Sequence, residues 1–244
     1  VTAMGVGLDY NENLMLALAE SGGGNYYFIE HPNMLASMVR EELAIVTTVL
    51  AQNASLRLTP GDGVTVTDIL GSGYERDGGR IIIPVGDIAA NETKDFTVAL
   101  TIPPGSGQRH IIAGTLVYDG PAPYGGPATF AASVRYSADV AEVERNRDIG
   151  LQAKADIARS AVKVEAAMQA MDNGDRAAAE QQLMEAKEVI ASSPAATAGS
   201  TTTSAMRDQL GRIESYERTA KEETDTRRAK KSIQYDNYKV RKNR

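Results

Sequence analysis

Two hydrophobic periods alternate along the first 50 or so residues. VTAMGVG is a short continuous apolar run of the kind that forms a buried strand. Asp9 and Asn11 then offer capping side chains, and Leu14, Met15, Leu18 and Ala19 recur at helical spacing until Gly22, Gly23 and Gly24 close the helix. NYYFIE predicts a second strand, and the stretch from Pro32 to about Val49 a second helix with Met34, Met38, Leu43 and Val46 as its buried stripe. Strand, helix, strand, helix implies parallel strands joined by helical crossovers. Because a fold does not normally open in mid-sheet, we read residue 1 as a cut end.

From 51 to 138 the period becomes two. Leu56 and Leu58 alternate with Arg57 and Thr59, Val64 and Val66 with Thr65 and Thr67, and Phe96, Val98, Leu100 and Ile102 with Thr97, Ala99 and Thr101. Further runs are Arg80 to Val85, His110 to Tyr118 and Thr129 to Tyr136, with turns at Pro60 to Gly63, Asp77 to Gly79, Pro103 to Gly105 and Asp119 to Pro127. Short alternating strands separated by Gly/Pro turns predict an antiparallel β-sandwich.

Beyond 139 the period is helical. Ile157, Ala161, Val164, Met168 and Met171 form one stripe, and Ala179, Leu183, Ala186 and Ile190 a second, started by Asp175 as cap. Met206, Leu210, Ile213 and Tyr216 form a third, on a helix from about Ala205. Each stripe is too narrow to be stable alone, so the helices are expected to pack as a hairpin or bundle. The chain thus reads as multi-domain: α/β over 1–50, all-β over 51–138, all-α over 139–231 with a small-residue linker at 192–204, and a basic tail over 232–244.

Composition narrows the functions. The net charge of -6 argues against a surface that grips nucleic acid as a whole. The absence of cysteine removes disulfides, thiol nucleophiles and cysteine-based zinc sites. No apolar run approaches the roughly 20 residues of a membrane helix. The basic run is the exception: Arg227, Arg228, Lys230, Lys231, Lys239, Arg241, Lys242 and Arg244 stand against Asp236 alone, with Tyr235 and Tyr238 interleaved. It offers contact with a nucleic acid or another anionic surface, or else docks as an extended piece through Ile233, Tyr235, Tyr238 and Val240.

VTAMGVGLDYNENLMLALAESGGGNYYFIEHPNMLASMVREEL resembles the last two strand and helix pairs of a bacterial von Willebrand factor A domain. Gly5, Val6 and Gly7 at a strand end, Asn11 and Glu12 at a helix start, Gly22 to Gly24 at its close, and Tyr26, Tyr27 and Phe28 in the next strand follow that family's order. RIIIPVGDIAANETKDFTVALTIP and the helical end are similar to the group often labelled calcium-activated chloride channel homologues. The resemblance implies a partial Rossmann-like βαβα segment and a non-enzymatic role in ligand binding, protein binding or scaffolding. It further implies a protein partner, a location in the cell envelope, periplasm or outside the cell, and a divalent metal (Mg or Ca) in the full-length domain. The family holds that metal through an Asp-x-Ser-x-Ser run, a Thr and an Asp, all upstream of the matched segment. No Asp-x-Ser-x-Ser occurs in residues 1–244, so no metal ligand or cofactor is carried over to this chain. Nor is the channel label, since nothing here would line a pore.

Catalytic motifs are missing. His31 and His110 are the two histidines, and neither has metal-type spacing. Gly5-Val6-Gly7 lacks the third glycine of a dinucleotide loop, and Gly71-Ser72-Gly73 and Gly105-Ser106-Gly107 do not make a nucleophile elbow. Glu41 and Glu42 are adjacent on a helix and point apart. Asp9, Asn11, Glu12 and Asn13 lack the spacing of a calcium loop and read as helix capping. GDRAAAEQQLMEAKEVI resembles half of a tetratricopeptide helix pair, which alone forms no peptide groove. An enzyme working through the sandwich loops is the least favoured reading, and no catalytic residue is assigned.

Overall fold

The opening apolar run forms strand β1 (Ala3–Val6), paired in parallel with β2 (Tyr26–Ile29) in the register Ala3 to Tyr26 through Val6 to Ile29. The structure is a computed structural model that describes residues 1–46, 48–120, 127–198, 200–222 and 226–242. Arg244, the side chain of Val46 and positions 121–126 of the expected turn lie outside them. Helix α1 (Glu12–Ser21) makes the crossover; the Asn11 side chain accepts from the Leu14 N–H at 3.0 Å, and Gly22 ends the helix. After the 3-10 turn Pro32–Met34 comes α2 (Leu35–Val46). Among the described residues no further strand pairs with β1 or β2.

The stripes expected on these two helices are only partly buried. Leu16 and Ala19 of α1 face inward, while Leu14 and Leu18 stay exposed; Met38 of α2 is buried, but Leu43 of α2 and Met34 of the preceding 3-10 turn are not. The reason is polar. Glu42 accepts hydrogen bonds from Thr2 Oγ1, from Asn25 Nδ2 at 2.8 Å and from the Tyr27 hydroxyl at 3.0 Å, so a carboxylate fixes the inward side of α2.

Seven antiparallel strands follow: β3 (Val49–Pro60), β4 (Thr65–Leu70), β5 (Glu75–Asp77), β6 (Arg80–Ala89), β7 (Thr97–Thr101), β8 (Gln108–Asp119) and β9 (Ala128–Arg135). They make a five-stranded sheet in the order β5-β6-β3-β8-β9 and a two-stranded β4-β7 ladder. Short β5 escapes the alternation pattern; Gly78 and Gly79, both at positive φ, turn it directly into β6 with Asp77 paired to Arg80. Leu58, Ile81, Ile83 and Ile112 of the larger sheet share one core with Val66 and Ile69 of the ladder. Val66 and Ile69 are three apart, against the alternation. A register shift between Val66 and Asp68 lets both point inward, as a β-bulge does.

One row of this core-facing side runs out into solvent. Ile81, Leu58, Gly114 and Phe130 are successive cross-strand partners on β6, β3, β8 and β9. The first two are 1% exposed and Phe130 is 49% exposed. The Phe130 ring lies where a Cβ on Gly114 would stand, so the missing side chain at 114 lets the ring rest on the sheet. Closer to β2, Gly23 and Gly86 touch backbone to backbone, both at positive φ, and join the α1–β2 connection to β6.

Val1–Val140 and Ala141–Arg244 form two compact units. Among its described residues the second holds helices and no strand: after α3 (Val140–Arg145), which starts at the boundary, come α4 (Ile149–Asp172), α5 (Arg176–Ala191), α6 (Ser200–Glu222) and α7 (Thr226–Arg241). Asp148 and Asp175 cap α4 and α5. Val164, Met168, Leu183, Ala186, Ile190, Met206 and Ile213 meet in a core at 3% exposure or less, and each Val, Leu, Ile or Met side chain so buried contributes about 1.5–3 kcal/mol.

Two segments of this unit differ from the sequence reading. Where a linker is expected over 192–204, the chain forms the 3-10 turn Pro194–Ala196 and the first residues of α6. The cause is local: the Ser193 hydroxyl caps the turn through the Ala195 N–H and also bonds Asp156, which tucks Ala195 into the core. Where a basic tail is expected over 232–244, α7 continues to Arg241. Ala229, Ile233 and Tyr238 supply too sparse an apolar pattern to announce the helix, since Lys230, Lys231, Gln234 and Asn237 fill the rest of its buried face.

Candidate functional site

The basic run does not form one cationic face. Lys230 and Lys231 are 6% and 1% exposed, and the Arg241 side chain is 7% exposed. Lys230 pairs with Asp172 of α4, and Arg241 with Glu165 at 3.5 Å. Lys239 is 3.0 Å from Asp236 and lies over the Tyr235 ring, while Lys242 lies over Tyr238, itself 1% exposed. Arg227 and Arg228 are exposed at the start of α7. Of the two interleaved tyrosines, only half-buried Tyr235 retains accessible surface for stacking.

Asp236, which the sequence presents as a lone acid, is the hub of this helix. It accepts from the Tyr216 hydroxyl at 2.6 Å and from Arg212 at 3.1 Å, besides its pair with Lys239. Burial pushes its carboxyl upward, but the Tyr216 hydrogen bond and the Lys239 and Arg212 charges outweigh this and leave it below the usual carboxylate range. Burial, and then the Asp236 carboxylate, push the Tyr216 phenol well above its ordinary value. A tyrosine held neutral and donating to a fixed carboxylate is a structural clamp between α6 and α7.

A second polar seam lies among α4, α5 and α6. Buried Asp156 accepts from Ser193 Oγ at 2.7 Å, Gln152 at 2.9 Å and Arg159 at 2.6 Å. Gln209 donates to Ser160 at 3.0 Å, and Asn237 to the Ala161 carbonyl at 3.0 Å. Lys163 and Glu185 pair at 2.6 Å across α4 and α5. Pairing of this kind is what buried polar groups require, and the exception among these groups is the buried Oδ1 of Asn237, which accepts no hydrogen bond among the described residues.

In the first unit, polar chemistry gathers around the parallel strands. In open sheets of this kind ligands bind beyond the carboxyl ends of the strands. Here that end carries Gly7, whose N–H donates to the Ile29 carbonyl at 2.9 Å, and then Asp9, Tyr10 and Asn11. The Tyr10 ring occupies the space a Cβ on Gly5 would need, and its hydroxyl lies 2.9 Å from that of Tyr26. Burial raises the Tyr10 phenol, against the lowering effect of the Tyr26 hydrogen bond. Asn11 uses its side-chain oxygen on the helix cap.

His31 stands before the 3-10 turn and makes no side-chain capping bond, and His110 lies in β8. Among the described residues no three His, Asp or Glu side chains converge in a way that would hold a metal ion. No helix among them is long and apolar enough to cross a membrane. The sequence names Glu42 only as half of an adjacent carboxylate pair and Asp236 only as the one acid in a basic run, and it does not mark Asp156 at all. Each is a carboxylate on a helical face, and spacing alone cannot tell such a group from a solvated one.

No protein-family profile matches the chain, and no curated protein matches it. Solved structures do. One described as von Willebrand factor type A from Catenulispora acidiphila superposes with a TM-score of 0.66 at 15% identity, covering 96% of this chain and 57% of that one. The human COPII-coat protein Sec24c superposes with a TM-score of 0.56 at 14% identity, covering 98% of this chain and 32% of that one. The chain therefore spans little more than half of the first of these structures and about a third of the second. At such identities the likeness is one of architecture, and the chain has a von Willebrand factor A-like fold.

Proposed function

We propose that residues 1–244 are the later part of a von Willebrand factor A-type binding protein without enzymatic activity, whose metal-dependent face is built by chain preceding Val1. The observation that carries this reading is the two-stranded parallel sheet. Parallel sheets occur covered on both faces and with further strands beside them. Here β1 and β2 have no further strand partner among the described residues, and Leu14, Leu18 and Leu43 on the adjoining helices are 56%, 48% and 56% exposed. Among the described residues no metal site forms, so this reading assigns the metal to chain preceding Val1, and no step is routed through it. The antiparallel strands, read as a β-sandwich, and the helices, read as a bundle, then position that face for a protein ligand.

The test compares residues 1–244 with the same chain extended by the residues that precede Val1 in its gene. The extended protein should bind Mg2+ or Ca2+ by calorimetry and slow hydrogen exchange at Ala3–Val6 relative to the shorter chain. An extension that neither binds metal nor protects β1 would refute the proposal. Contact with anionic polymers through Arg227, Arg228 and Lys242 is the rival reading. It predicts that charge reversal at these three residues abolishes low-salt binding to heparin.

A further inference from the structure

The two edges of the five-stranded sheet are guarded in opposite ways. β5 is three residues long, Glu75, Arg76 and Asp77, all charged and all exposed. Short, charged edge strands prevent a sheet from pairing with another chain. β9 is eight residues long, and Ala128 to Val134 contain no charge and no proline. Most of it is exposed, and no strand among the described residues pairs with its outer edge. Phe130 sits at its middle on the core-facing side, where that row reaches solvent at 49% exposure. An unguarded edge of this length beside an open aromatic ring is a template for strand addition.

We infer that β9 pairs antiparallel with β9 of a second copy of this chain, about a twofold axis that passes Phe130 and runs normal to the sheet. A twofold interface must be complementary to itself, and this strand is. In this register Phe130 faces the partner's Phe130, Thr129 faces the partner's Ala131, and Ala128 faces the partner's Ala132. The axis keeps the core-facing side of one sheet continuous with that of the other, so both rings share one face. Small Ala128 and Ala132 flank them and leave room. No like charges meet, because the strand's one charged residue, Arg135, lies beyond the paired stretch. Aromatic pairs directly opposite one another stabilise sheets of this kind.

Sedimentation velocity over a concentration series tests it. The natural chain should dimerise. Thr129→Lys with Ala131→Lys sets two pairs of like charges face to face and should weaken the dimer at least about tenfold. Thr129→Glu with Ala131→Glu should do the same, and an equimolar mixture of the two variants should associate again. Hydrogen exchange of the natural chain supplies a reading free of variants: protection of β9 should rise with concentration, and that of β5 should not. A chain that stays monomeric at its highest soluble concentration overturns the inference. So does a dimer indifferent to both double variants, a mixture that fails to associate, or exchange in β9 that ignores concentration.

Discussion

In the helical unit Lys230 and Lys231 are 6% and 1% exposed, whereas in the first unit Leu14, Leu18 and Phe130 are 56%, 48% and 49% exposed. The helical unit takes charge into its core although Leu151 and Met184 are 63% and 54% exposed, while the first unit leaves apolar side chains outside beside its strand edges. The difference lies in how each is completed. The helices draw buried polar side chains together at Asp156, Asp172 and Asp236, and their buried apolar stripes meet in one core. The strands of the first unit end in edges at β1, β2 and β9 that pair with no other strand among the described residues. A charged sequence is thus no guide to an outward surface, nor an apolar one to a core.

The contrast can be broken most sharply at the helical core. Leu183→Ala removes a side chain that is 1% exposed and should cost about 2–5 kcal/mol, lowering the denaturation midpoint of the helical unit. If the two units unfold separately, the transition of Val1–Val140 should not move. Next comes Asp172→Ala, which removes an ion-pair partner of the buried Lys230 ammonium and should cost about 1–3 kcal/mol. Lys230→Met should recover part of that loss in the double variant, because an uncharged side chain of similar length needs no partner.

Asp236 gives a smaller effect with a defined pH dependence. Its folded pKa lies below the ordinary carboxylate value, so its contribution is fully present above about pH 4 and disappears as pH falls through the folded value. Asp236→Asn should cost about 1 kcal/mol at neutral pH and flatten the acid limb of the stability curve. The smallest effect is expected at Leu14. Leu14→Ser should change the stability of residues 1–244 by no more than about 0.5 kcal/mol, as for any exposed site. In a chain extended before Val1 the same substitution should become costly. A large loss in the short chain would place Leu14 in a core and remove the contrast.

Much of the architecture is legible in the residue pattern because period and burial agree. Ala179, Leu183, Ala186 and Ile190 recur at helical spacing and are all buried. Asn11 and Asp175 cap the helices they precede. Legibility fails where polar groups occupy buried positions. α7 hides behind its lysines, the inward face of α2 is set by Glu42, and the 192–204 stretch looks like a linker although Ser193 anchors it to Asp156. A hydroxyl or carboxylate reveals its role only when its partner arrives from a distant part of the chain. The same holds for Phe130, whose exposure on a core-facing row follows from a strand order that no local pattern states.

The contact of Gly23 with Gly86 makes two positions, one before β2 and the other within β6, behave as a single mutational unit. A Cβ on either would stand 2.5 Å from the backbone of the other, and neither has a side chain that could be trimmed to make room. Compensation by a second substitution is therefore closed off, leaving only separation of the two backbones. In a saturation library both sites should accept glycine alone, and alanine at the two together should be no better tolerated than at either one.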